Sequence, residues 1–389
     1  MSKRVLIYTH TFSPHTQTFI YNDVVGLSKN NQVLVACLEL QNTKKFPFEN
    51  TRLLAYKRSW LYQRIWGRLY LFNLSMNYKN RIFRKQLNEL IQSFKPDIIH
   101  CHFGPEGLRI VDNLKEFCGP VIFNFHGFDA SSQIRESLIY TRRLKALFRK
   151  PNIFPTATSK SLLEHLSTWG IESENSRPIY SGVDTDFFRR NKHTTLEDSF
   201  TFIQVAGFRE KKGHIYTLKA FKRFSNSFPE KSFKLILIGS GEREKELNLL
   251  CEQLGIKSQV VFLGWASPEQ VKLNLEKANC FIHPSITPSN GDMESTTVAI
   301  MEAMSMELPI IATYHSGIPE LVESGTHGIL VEEKNIGQYV DAMNRILDWG
   351  LQPQNRQRII DHFSQAKRLK ELQAFYDFAI EQMHNKKSK

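Results

Sequence analysis

Short runs of apolar residues alternate along the chain with longer amphipathic or charged stretches, and this alternation predicts βα units that wind parallel sheets. The runs are continuously apolar, which is typical of strands covered on both faces. In the first half the predicted strands are Val5–His10, Val33–Leu40, Asp97–His102, Val121–His126 and Ile153–Ala157. In the second half they are Phe200–Ala206, Leu235–Gly239, Val260–Leu263, Cys280–His283, Ile310–Thr313 and Gly328–Val331.

The repeated plan predicts an α/β protein with two Rossmann-like, doubly wound parallel-sheet domains that face each other across a cleft. A length of 389 residues fits two domains of ~100–200 residues each. The predicted boundaries are an N-terminal acceptor-side domain over 1–182, a polar linker over 183–199, a C-terminal domain over 200–365, and a C-terminal helix over 366–389 that packs back toward the N-terminal domain. Because ligands of such sheets bind beyond the carboxyl ends of the strands, the residues that follow the strands are the candidates for a site.

The charge is uneven along the chain. Fifty-one Lys and Arg against 39 Asp and Glu give a net charge of +12, which points to acidic partners such as phosphates, nucleic acid or anionic lipid. Residues 41–95 contain twelve Lys or Arg against two Glu, a net charge of +10, with aromatic residues interleaved.

This basic aromatic segment, residues 41–95, has three open interpretations. It can be an amphipathic helix that buries its aromatic side chains and solvates its cations. Apolar residues recur there at roughly helical spacing, with Arg64 and Arg68 between them: Trp60, Leu61, Ile65, Leu69 and Phe72. It can be an interfacial surface for anionic lipid. It can bind single-stranded nucleic acid, although no nucleic-acid-binding module is recognisable. We expect an anionic membrane surface as the partner and no nucleic acid.

Two further features bear on location. Five widely spread cysteines without a CxxC spacing are interpreted as reduced core residues of a cytosolic protein. No segment approaches the ~18–20 consecutive apolar residues of a membrane-spanning helix, and the Val5–Tyr8 run is far shorter than that of a signal peptide. We therefore expect a cytoplasmic protein that binds the inner face of the cytoplasmic membrane peripherally.

The main candidate for chemistry is a pair of glutamates, Glu294 and Glu302, separated by seven residues. A helix that begins near Ser295 or Thr296 would offer a hydroxyl N-cap, free N–H groups and the positive end of its dipole to a phosphate. Glu302 would lie about 12 Å further along at ~1.5 Å per residue. That distance suits one extended ligand held at two points and is too long for two carboxylates that flank a single bond.

This segment, with Phe281–Ser285 before it and Ser316–Val322 after it, resembles the signature of retaining glycosyltransferases of family GT4. The resemblance extends in order over nearly the whole chain. It implies the GT-B fold, a nucleotide-diphosphate sugar as donor, retention of the anomeric configuration, and no metal or other cofactor. The loop Thr11–Ile20 and the sequence His102-Phe103-Gly104 resemble the exopolysaccharide and colanic-acid-type members. This narrower resemblance implies capsule, exopolysaccharide or O-antigen biosynthesis. Because the basic aromatic segment could bind lipid phosphates, we expect a glycan or polyprenyl-diphosphate-linked oligosaccharide as acceptor.

The resemblance also assigns donor-binding roles. Glu294 would bind hydroxyls of the donor sugar as a catalytic residue, and Glu302 would bind the nucleotide ribose. The backbone N–H groups of Ser295, Thr296 and Thr297 would face the sugar and the diphosphate. In the basic loop after the first strand of the second domain, Arg209 and Lys212 would neutralise the leaving diphosphate.

In the first half, Phe125–Asp129 resembles the HGxD turn of the family. His126 would then lie beside the donor sugar and the acceptor as a second catalytic residue. Asp129 would orient the loop or the acceptor, and its alternative role is that of a helix N-cap. Thr16, Gln17 and Thr18 are candidates to contact the acceptor or the donor phosphate, and their alternative is a helix-capping loop.

Two other motifs resemble a metal site and a NAD site, and we expect neither function. Asp184-Thr185-Asp186 mimics a metal-binding DxD, but the corresponding turn of the family needs no metal, so no metal site is expected. Ile238–Glu242 resembles half of a dinucleotide fingerprint, but the third glycine position is Glu244, which disfavours NAD binding. A NAD-dependent oxidoreductase and another GT-B activity, such as sugar-nucleotide epimerisation, remain as alternative functions.

Overall fold

A computed structural model describes residues 2–14, 17–56, 79–191 and 199–387 of the chain. The chain divides into two compact units. The first unit comprises Met1–Tyr180 and Arg368–Lys389, and the second comprises Ser181–Lys367. Each unit is a parallel β-sheet with helices packed against it.

The first unit contains a seven-stranded sheet in the order β3-β2-β1-β4-β5-β6-β7. Its strands are β1 (Arg4–Phe12), β2 (Gln32–Leu40), β3 (Thr51–Leu53), β4 (Ile98–His102), β5 (Val121–Phe125), β6 (Ile153–Ala157) and β7 (Arg177–Pro178). Its helices within the first 180 residues are α1 (Thr18–Ser28), α2 (Arg81–Phe94), α3 (Gly104–Asn113), α4 (Ser132–Glu136), α5 (Leu138–Phe148) and α6 (Lys160–Thr168), with a 3-10 turn at Phe128–Ala130. The strand order reverses between β1 and β4, which is where ligands of doubly wound sheets bind.

The second unit contains a six-stranded sheet in the order β10-β9-β8-β11-β12-β13. Its strands are β8 (Phe200–Val205), β9 (Phe233–Ile238), β10 (Val260–Gly264), β11 (Cys280–His283), β12 (Ile310–Thr313) and β13 (Gly328–Val331). Its helices are α7 (His214–Asn226), α8 (Glu244–Gln253), α9 (Pro268–Lys277), α10 (Val298–Ser305), α11 (Ile318–Leu321), α12 (Ile336–Ile346) and α13 (Pro353–Arg358), with a 3-10 turn at Glu210–Lys212 and a π-helix at Ile359–Phe363.

All eleven strands predicted from the apolar runs are present, with ends that differ by up to two residues. The prediction missed β3 and β7, which form opposite edges of the first sheet. These two strands span only three and two residues and are partly or fully exposed, so they carry no apolar run. The central strands β4, β5 and β6 are buried at every position, as continuous apolar runs predict.

Local sequence determines where several helices begin. Asn80 precedes α2, and its side-chain oxygen accepts hydrogen bonds from the N–H groups of Ile82 and Phe83, both at 3.1 Å. Ser267 precedes α9 and forms a capping box with Gln270. Such caps satisfy N–H groups that have no partner within the helix.

The unit boundary lies after Tyr180, two residues before the predicted domain end. The described residues of the predicted linker pack within the second unit. The N–H of Val183 donates to the carbonyl of Phe363 at 3.0 Å, and Arg356 donates to the carbonyl of Thr185 at 2.9 Å. The remainder of the predicted linker, 192–198, lies outside the described residues, as do residues 57–78 of the basic aromatic segment.

The long helix α14 (Gln365–Lys387) belongs to the first unit from Arg368 onward. Its apolar residues Leu372, Phe375, Tyr376 and Ala379 are buried in one core cluster with residues of α1, β1 and β2. Arg368 is 2% exposed. Its Nη2 and Nε donate to the Asp23 carboxylate at distances of 2.7 to 3.0 Å, and its Nη1 donates to the carbonyl of Tyr180 at 2.6 Å. The helix is therefore tied to the sheet by a buried ion pair as well as by apolar contacts.

Two observations concern the expectations on location. Four cysteines are buried, but Cys118 is exposed, so its interpretation as a core residue is wrong. In the described ranges every helix is too short or too polar to cross a lipid bilayer.

We expect Arg368→Met to destabilise the first unit by about 3–5 kcal/mol, because it removes the guanidinium that pairs with the buried Asp23 carboxylate. Denaturant unfolding followed by circular dichroism measures the loss. The control is Asp377→Asn on the same helix, which removes the ion pair of Lys3 with a carboxylate that is 62% exposed. This control should cost less than about 1 kcal/mol. Equal losses in both variants would contradict the special role of the buried pair.

Candidate active site

Polar side chains collect at the carboxyl edge of the second sheet. Lys211 and Lys212 follow β8, His283 ends β11, His315 follows β12, and Glu333 follows β13. The parallel strands all end at this edge, so residues far apart in the sequence meet there. Glu294, in the segment that leads into α10, contacts three members of this group.

The turn that carries the two lysines is held at its C-terminal end. Gly213 has a φ of +65°, and a Cβ on it would lie 1.8 Å from the backbone oxygen of Pro284. A side chain therefore does not fit at this position. The side-chain amide of Gln204 donates to the carbonyl of Lys212 at 2.9 Å. These constraints fix the backbone from which both lysines project.

Glu294 is the centre of an ion-pair cluster. Its carboxylate lies 2.9 Å from Nζ of Lys212 and 3.4 Å from Nζ of Lys211. Lys211 also pairs with Asp292 at 2.9 Å. Burial alone would raise the pKa of Glu294, but the charges of Lys212 and Lys211 outweigh it and hold that pKa well below its usual range. The carboxylate is therefore ionised at any physiological pH.

His315 positions Glu294 through the backbone. Its Nε2 accepts a hydrogen bond from the N–H of Glu294 at 3.0 Å, so its proton resides on Nδ1, which donates to Glu333 at 2.6 Å. The N–H of Thr287 also donates to Glu333, at 2.8 Å. Burial raises the pKa of Glu333, but these hydrogen bonds prevail and hold it below its usual value.

Helix α10 begins at Val298 with Thr297 as its N-cap residue. The predicted start near Ser295 or Thr296 is wrong by two to three residues. Ser295, Thr296 and Thr297 are all buried, and the Thr297 hydroxyl does not cap its own helix. Within the described residues the Thr297 hydroxyl has no hydrogen-bond partner. A ligand at the start of α10 can therefore use it.

Glu302 lies on α10, half-buried. None of the described residues forms a hydrogen bond or an ion pair with its carboxyl group. Burial raises the pKa of Glu302 to about 8, so the acid is largely protonated in the free protein at neutral pH. A half-buried acid with a raised pKa and no partner among the described residues is a candidate to bind a ligand.

Two buried histidines adjoin the cluster. His283 and His214 are almost completely inaccessible, and among the described residues neither ring nitrogen of either residue has a hydrogen-bond partner. Burial lowers both pKa values, that of His214 to about 3, and the charge of Lys212 lowers them further. Both rings are therefore neutral, and their buried nitrogens still lack hydrogen-bond partners within the described structure.

In the first unit, His126 follows β5 and packs between the rings of Phe19 and Phe103, whose centroids lie 4.8 and 4.6 Å from its own. Its Nε2 lies 3.1 Å from Nδ1 of His102. The ring is half-buried. Burial, followed by the charge of Arg368, lowers the pKa of His126 well below its usual value, so the ring is neutral.

Asp129 orients the loop that carries His126. Its carboxylate accepts the N–H groups of His126, Gly127 and Gly104 at 2.9 to 3.1 Å. Asp129 is fully buried, and burial raises its pKa to about 6. Its alternative role as a helix N-cap is wrong, because Asp129 lies inside the 3-10 turn Phe128–Ala130.

The remaining predicted residues are dispersed. Thr16 lies outside the described residues. Gln17 is the N-cap residue of α1 but its side chain makes no capping bond, and Thr18 is the first residue of that helix. Arg209 is exposed and has no side-chain contact with Glu294 among the described residues. His126 and Asp129 belong to the first unit, and the donor-binding candidates belong to the second.

Sequence reasoning missed Lys211, His315, Glu333 and Asp292. The first three follow the ends of β8, β12 and β13, so the rule that points to the carboxyl ends of strands could have identified them. No comparable signal identified Asp292, which lies in the loop before Glu294.

The DxD-like sequence has a local structural role. One oxygen of Asp184 accepts the N–H groups of Asp186 and Phe187 at 3.0 and 2.9 Å, which stabilises a turn. In the part of the chain that the structure describes, no group of three or more His, Cys, Asp or Glu is placed to hold a metal ion.

Two family models match consecutive parts of the chain. Glycosyltransferase Family 4 matches residues 17–187, and Glycosyl transferases group 1 matches residues 186–362. The chain belongs to the GT4-type glycosyltransferases. The predicted family GT4 is thereby confirmed, and the two parallel-sheet units confirm the predicted Rossmann-like fold class.

Sequence relatives of this GT4-type protein come from polysaccharide biosynthesis. The putative colanic acid biosynthesis glycosyltransferase WcaL of Salmonella typhimurium is 33% identical over 260 residues, which are 66% of this chain and 63% of the relative. The amylovoran biosynthesis glycosyltransferase AmsK of Erwinia amylovora is 30% identical over 62% of this chain and 58% of the relative. The chain thus spans less than two thirds of the length of these relatives.

Solved structures share the fold of the whole chain. A glycosyltransferase from Rickettsia africae superposes with a TM-score of 0.73 at 15% identity, covering 97% of this chain and 99% of that one. Alr3699/HepE of Anabaena, in complex with UDP and glucose, superposes with a TM-score of 0.71 at 16% identity, covering 96% of this chain and 98% of that one. These likenesses support the GT-B fold class.

We expect Glu302→Gln to remove a pH dependence of stability. The pKa of about 8 in the folded state exceeds the ordinary value of 4.5. The stabilisation by the bound proton is therefore full below about pH 4.5 and is lost as the pH rises through 8. Denaturant unfolding at pH 5 and pH 9 should show wild type losing more stability than the variant. Glu252→Gln, at an exposed position on α8, is the control and should behave as wild type. Identical pH dependence in wild type and Glu302→Gln would refute this assignment.

Proposed function

We propose that this protein is a retaining, metal-independent glycosyltransferase that moves a hexose-type sugar from a nucleotide-diphosphate donor to a growing glycan. The observation that carries the proposal is the cluster of Lys211, Lys212 and Glu294 at the carboxyl edge of the second sheet, next to the start of α10. This arrangement offers both cations for a diphosphate and a fixed carboxylate for sugar hydroxyls.

The diphosphate is the natural partner of the two lysines. In the free protein Lys211 and Lys212 pair with Asp292 and Glu294, so two positive charges face two negative ones. An incoming diphosphate replaces Glu294 as the partner of Lys212. The N–H groups at the start of α10 add their partial positive charge. The Thr297 hydroxyl, which has no partner among the described residues, donates to a phosphate oxygen.

Glu294 then becomes available to the sugar. Its carboxylate accepts two hydroxyl hydrogens once Lys212 turns to the diphosphate. Its strongly lowered pKa suits an ionised acceptor of hydrogen bonds and does not suit a group that takes up a proton. His315 and Glu333 hold its backbone in place during this exchange.

Glu302 suits the nucleotide ribose. The carboxyl group is half-buried without a partner in the described structure, and two vicinal hydroxyls would satisfy both of its oxygens. Hydroxyl donors stabilise the carboxylate, so ribose binding offsets the burial that raises the pKa of Glu302.

Catalysis rests on position and charge. Departure of the sugar leaves a nucleotide diphosphate, whose developing charge Lys212, Lys211 and Arg209 stabilise. His126, at the end of β5, contacts a hydroxyl of the donor sugar or of the acceptor. No step in this scheme requires a metal ion.

For the acceptor we propose a polyprenyl-diphosphate-linked oligosaccharide, in capsule, exopolysaccharide or O-antigen biosynthesis. WcaL and AmsK are named for colanic acid and amylovoran biosynthesis. A further relative from Escherichia coli, 26% identical over 75% of this chain and 77% of its own length, is named UDP-Gal:alpha-D-GlcNAc-diphosphoundecaprenol alpha-1,3-galactosyltransferase. A lipid diphosphate as acceptor in that protein supports the same class of acceptor here.

A lipid-linked acceptor requires access to a membrane, and we assign this contact to the basic aromatic segment 41–95. Its net charge of +10 and its interleaved aromatic residues suit an anionic lipid surface on the cytoplasmic side. Charge reversal at Arg64 and Arg68, which lie outside the described residues, should reduce sedimentation with anionic liposomes. Undiminished sedimentation would count against the assignment.

The oxidoreductase alternative lacks support. The third position of the glycine fingerprint is Glu244, the first residue of α8, and the family models and relatives are glycosyltransferases.

A screen without added metal should identify the donor. We expect one of UDP-, GDP-, ADP- and dTDP-sugars to raise the melting temperature of wild type, and Glu302→Gln to show a smaller shift because it loses the ribose contact. Hydrolysis of the same nucleotide-sugars gives a second readout, and Glu252→Gln serves as the control. A response to NAD(P) with none to any nucleotide-sugar would overturn the proposed function.

Glu294→Gln and Lys212→Met should each reduce transfer activity by roughly 10²- to 10³-fold, the usual effect of removing one preorganised electrostatic contact. Lys219→Met, at an exposed position on α7, is the matched control and should retain wild-type turnover. Initial rates with the donor identified by the screen measure the effect, and circular dichroism confirms folding. Wild-type turnover in either site variant would contradict the assigned roles.

A further inference from the structure

Three histidine rings line up at the carboxyl edge of the first sheet. His100 and His102 lie on β4, and His126 follows the neighbouring strand β5. The centroids of His100 and His102 are 4.7 Å apart, and those of His102 and His126 are 5.3 Å apart. At the far end, Nδ1 of His100 lies 2.7 Å from the hydroxyl of Tyr376 on α14.

The contact between His102 and His126 is an in-plane hydrogen bond. Nδ1 of His102 and Nε2 of His126 are 3.1 Å apart, and the two ring planes differ by 25°. The ring centroids are 5.3 Å apart, which exceeds the distance between the two nitrogens by about the diameter of one imidazole ring. The nitrogens therefore lie between the centroids, as in-plane lone pairs and N–H groups require.

All three rings are neutral, so each carries one proton. Burial is the largest cause that lowers the pKa of each ring well below its usual value, and neighbouring charges, Arg368 among them, lower it further. One proton is thus shared between Nδ1 of His102 and Nε2 of His126. Which nitrogen holds it determines what His126 presents to a ligand.

The surroundings of His102 decide the question. The residue is fully buried, and its Nε2 has no hydrogen-bond partner among the described residues. If Nε2 held the proton, a buried N–H would lack an acceptor. If Nδ1 holds it, only a lone pair is left unused, which is the less costly defect in protein interiors. Nδ1 of His102 therefore donates to Nε2 of His126, and the proton of His126 resides on Nδ1.

We propose that His102 is a positioning residue that fixes the tautomer of His126, so that His126 presents an Nδ1–H donor to an oxygen of the bound sugar or acceptor. This role rests on the proposed function. In the described structure Nδ1 of His126 has no hydrogen-bond partner. A neutral ring with its proton on Nδ1 and its Nε2 already occupied cannot take a proton from an acceptor hydroxyl. His126 then acts as a hydrogen-bond donor and not as a general base.

The same reasoning applies to His100. Its Nε2 is also buried without a partner in the described residues, so its Nδ1 holds the proton and donates to the Tyr376 oxygen. His100 packs against the ring of His102 and helps to keep it dry. His100, His102 and His126 are thus all protonated on Nδ1.

The tautomer can be observed without any activity assay. In protein labelled with ¹⁵N-histidine, long-range ¹H–¹⁵N correlation spectra distinguish Nδ1–H from Nε2–H rings, and loss of a signal in His126→Gln assigns that residue. We expect wild-type His126 to be protonated on Nδ1. An Nε2–H signal for His126 in wild type would overturn the proposal, whatever the variants do.

Two variants test the cause. His102→Asn can place an amide donor near the position of Nδ1 and should keep His126 in the Nδ1–H form. His102→Leu has no donor and should release His126 to the Nε2–H form that prevails in free imidazole side chains. His165→Asn, a histidine on α6 outside the site, is the control and should leave the His126 signal unchanged. An unchanged tautomer in folded His102→Leu would refute the role of His102.

The activity of the same variants connects the tautomer to the proposed function. We expect kcat to fall about tenfold in His102→Leu, the effect of one lost hydrogen bond, and to recover in His102→Asn with KM for the donor little changed. A switched tautomer with unchanged kcat would contradict the positioning role. If no nucleotide-sugar is turned over at all, the proposed function fails, while the spectra still decide the tautomer.

Discussion

The buried ion pair of Arg368 with Asp23 is the contact on which the first unit depends. It joins α14 to α1, and the same guanidinium donates to the backbone at Tyr180, where the first segment of the unit ends. Burying these charges costs free energy that only their close pairing offsets, so the two residues specify one position for the helix. The charge of Arg368 also helps to keep the three histidines of the sheet edge neutral. Burial is the main cause of this neutral state, and the charge of Arg368 adds to it at His126, a residue of the proposed site.

The second unit solves a different problem of charge. The site that we propose for a diphosphate must hold cations before the ligand arrives, and buried lysines without counter-charges would lose their protons. Burial alone would lower the pKa of Lys211, but the charges of Glu294 and Asp292 outweigh it and hold that pKa above its usual value. The pairing keeps the free site neutral and stable, and the carboxylates are themselves groups that a sugar can use.

The sequence alone predicted most of the fold, because central parallel strands such as β4 and β12 are buried on both faces and read as continuous apolar runs. Edge strands such as β3 carry no such signal. The start of α10 was misplaced because serine and threonine suit an N-cap wherever they stand, and tertiary contacts decide which one is used.

The sequence alone predicted only some residues of the candidate site. Lys212 and Glu294 were found from their motifs, and the structure brings them into contact. The link from His315 to Glu333 depends on the neighbouring positions of β12 and β13 in the sheet, which a single sequence does not contain. The same holds for His102, whose relation to His126 follows from the pairing of β4 with β5. Arg368 and Asp23 are 345 positions apart, beyond the range of any local pattern.

The discontinuous first unit has a consequence for biosynthesis. Its sheet and α1 are translated first, but the helix that covers Val5, Ile7 and Phe154 follows only after all of Ser181–Lys367. The second unit is continuous in sequence and can complete its core while α14 is still being made. The nascent first unit meanwhile exposes an apolar sheet face and an Asp23 carboxylate that has not yet met Arg368. Chaperone binding and aggregation during synthesis should therefore concentrate on the first unit, whose sheet precedes the second unit in the chain and whose covering helix follows it.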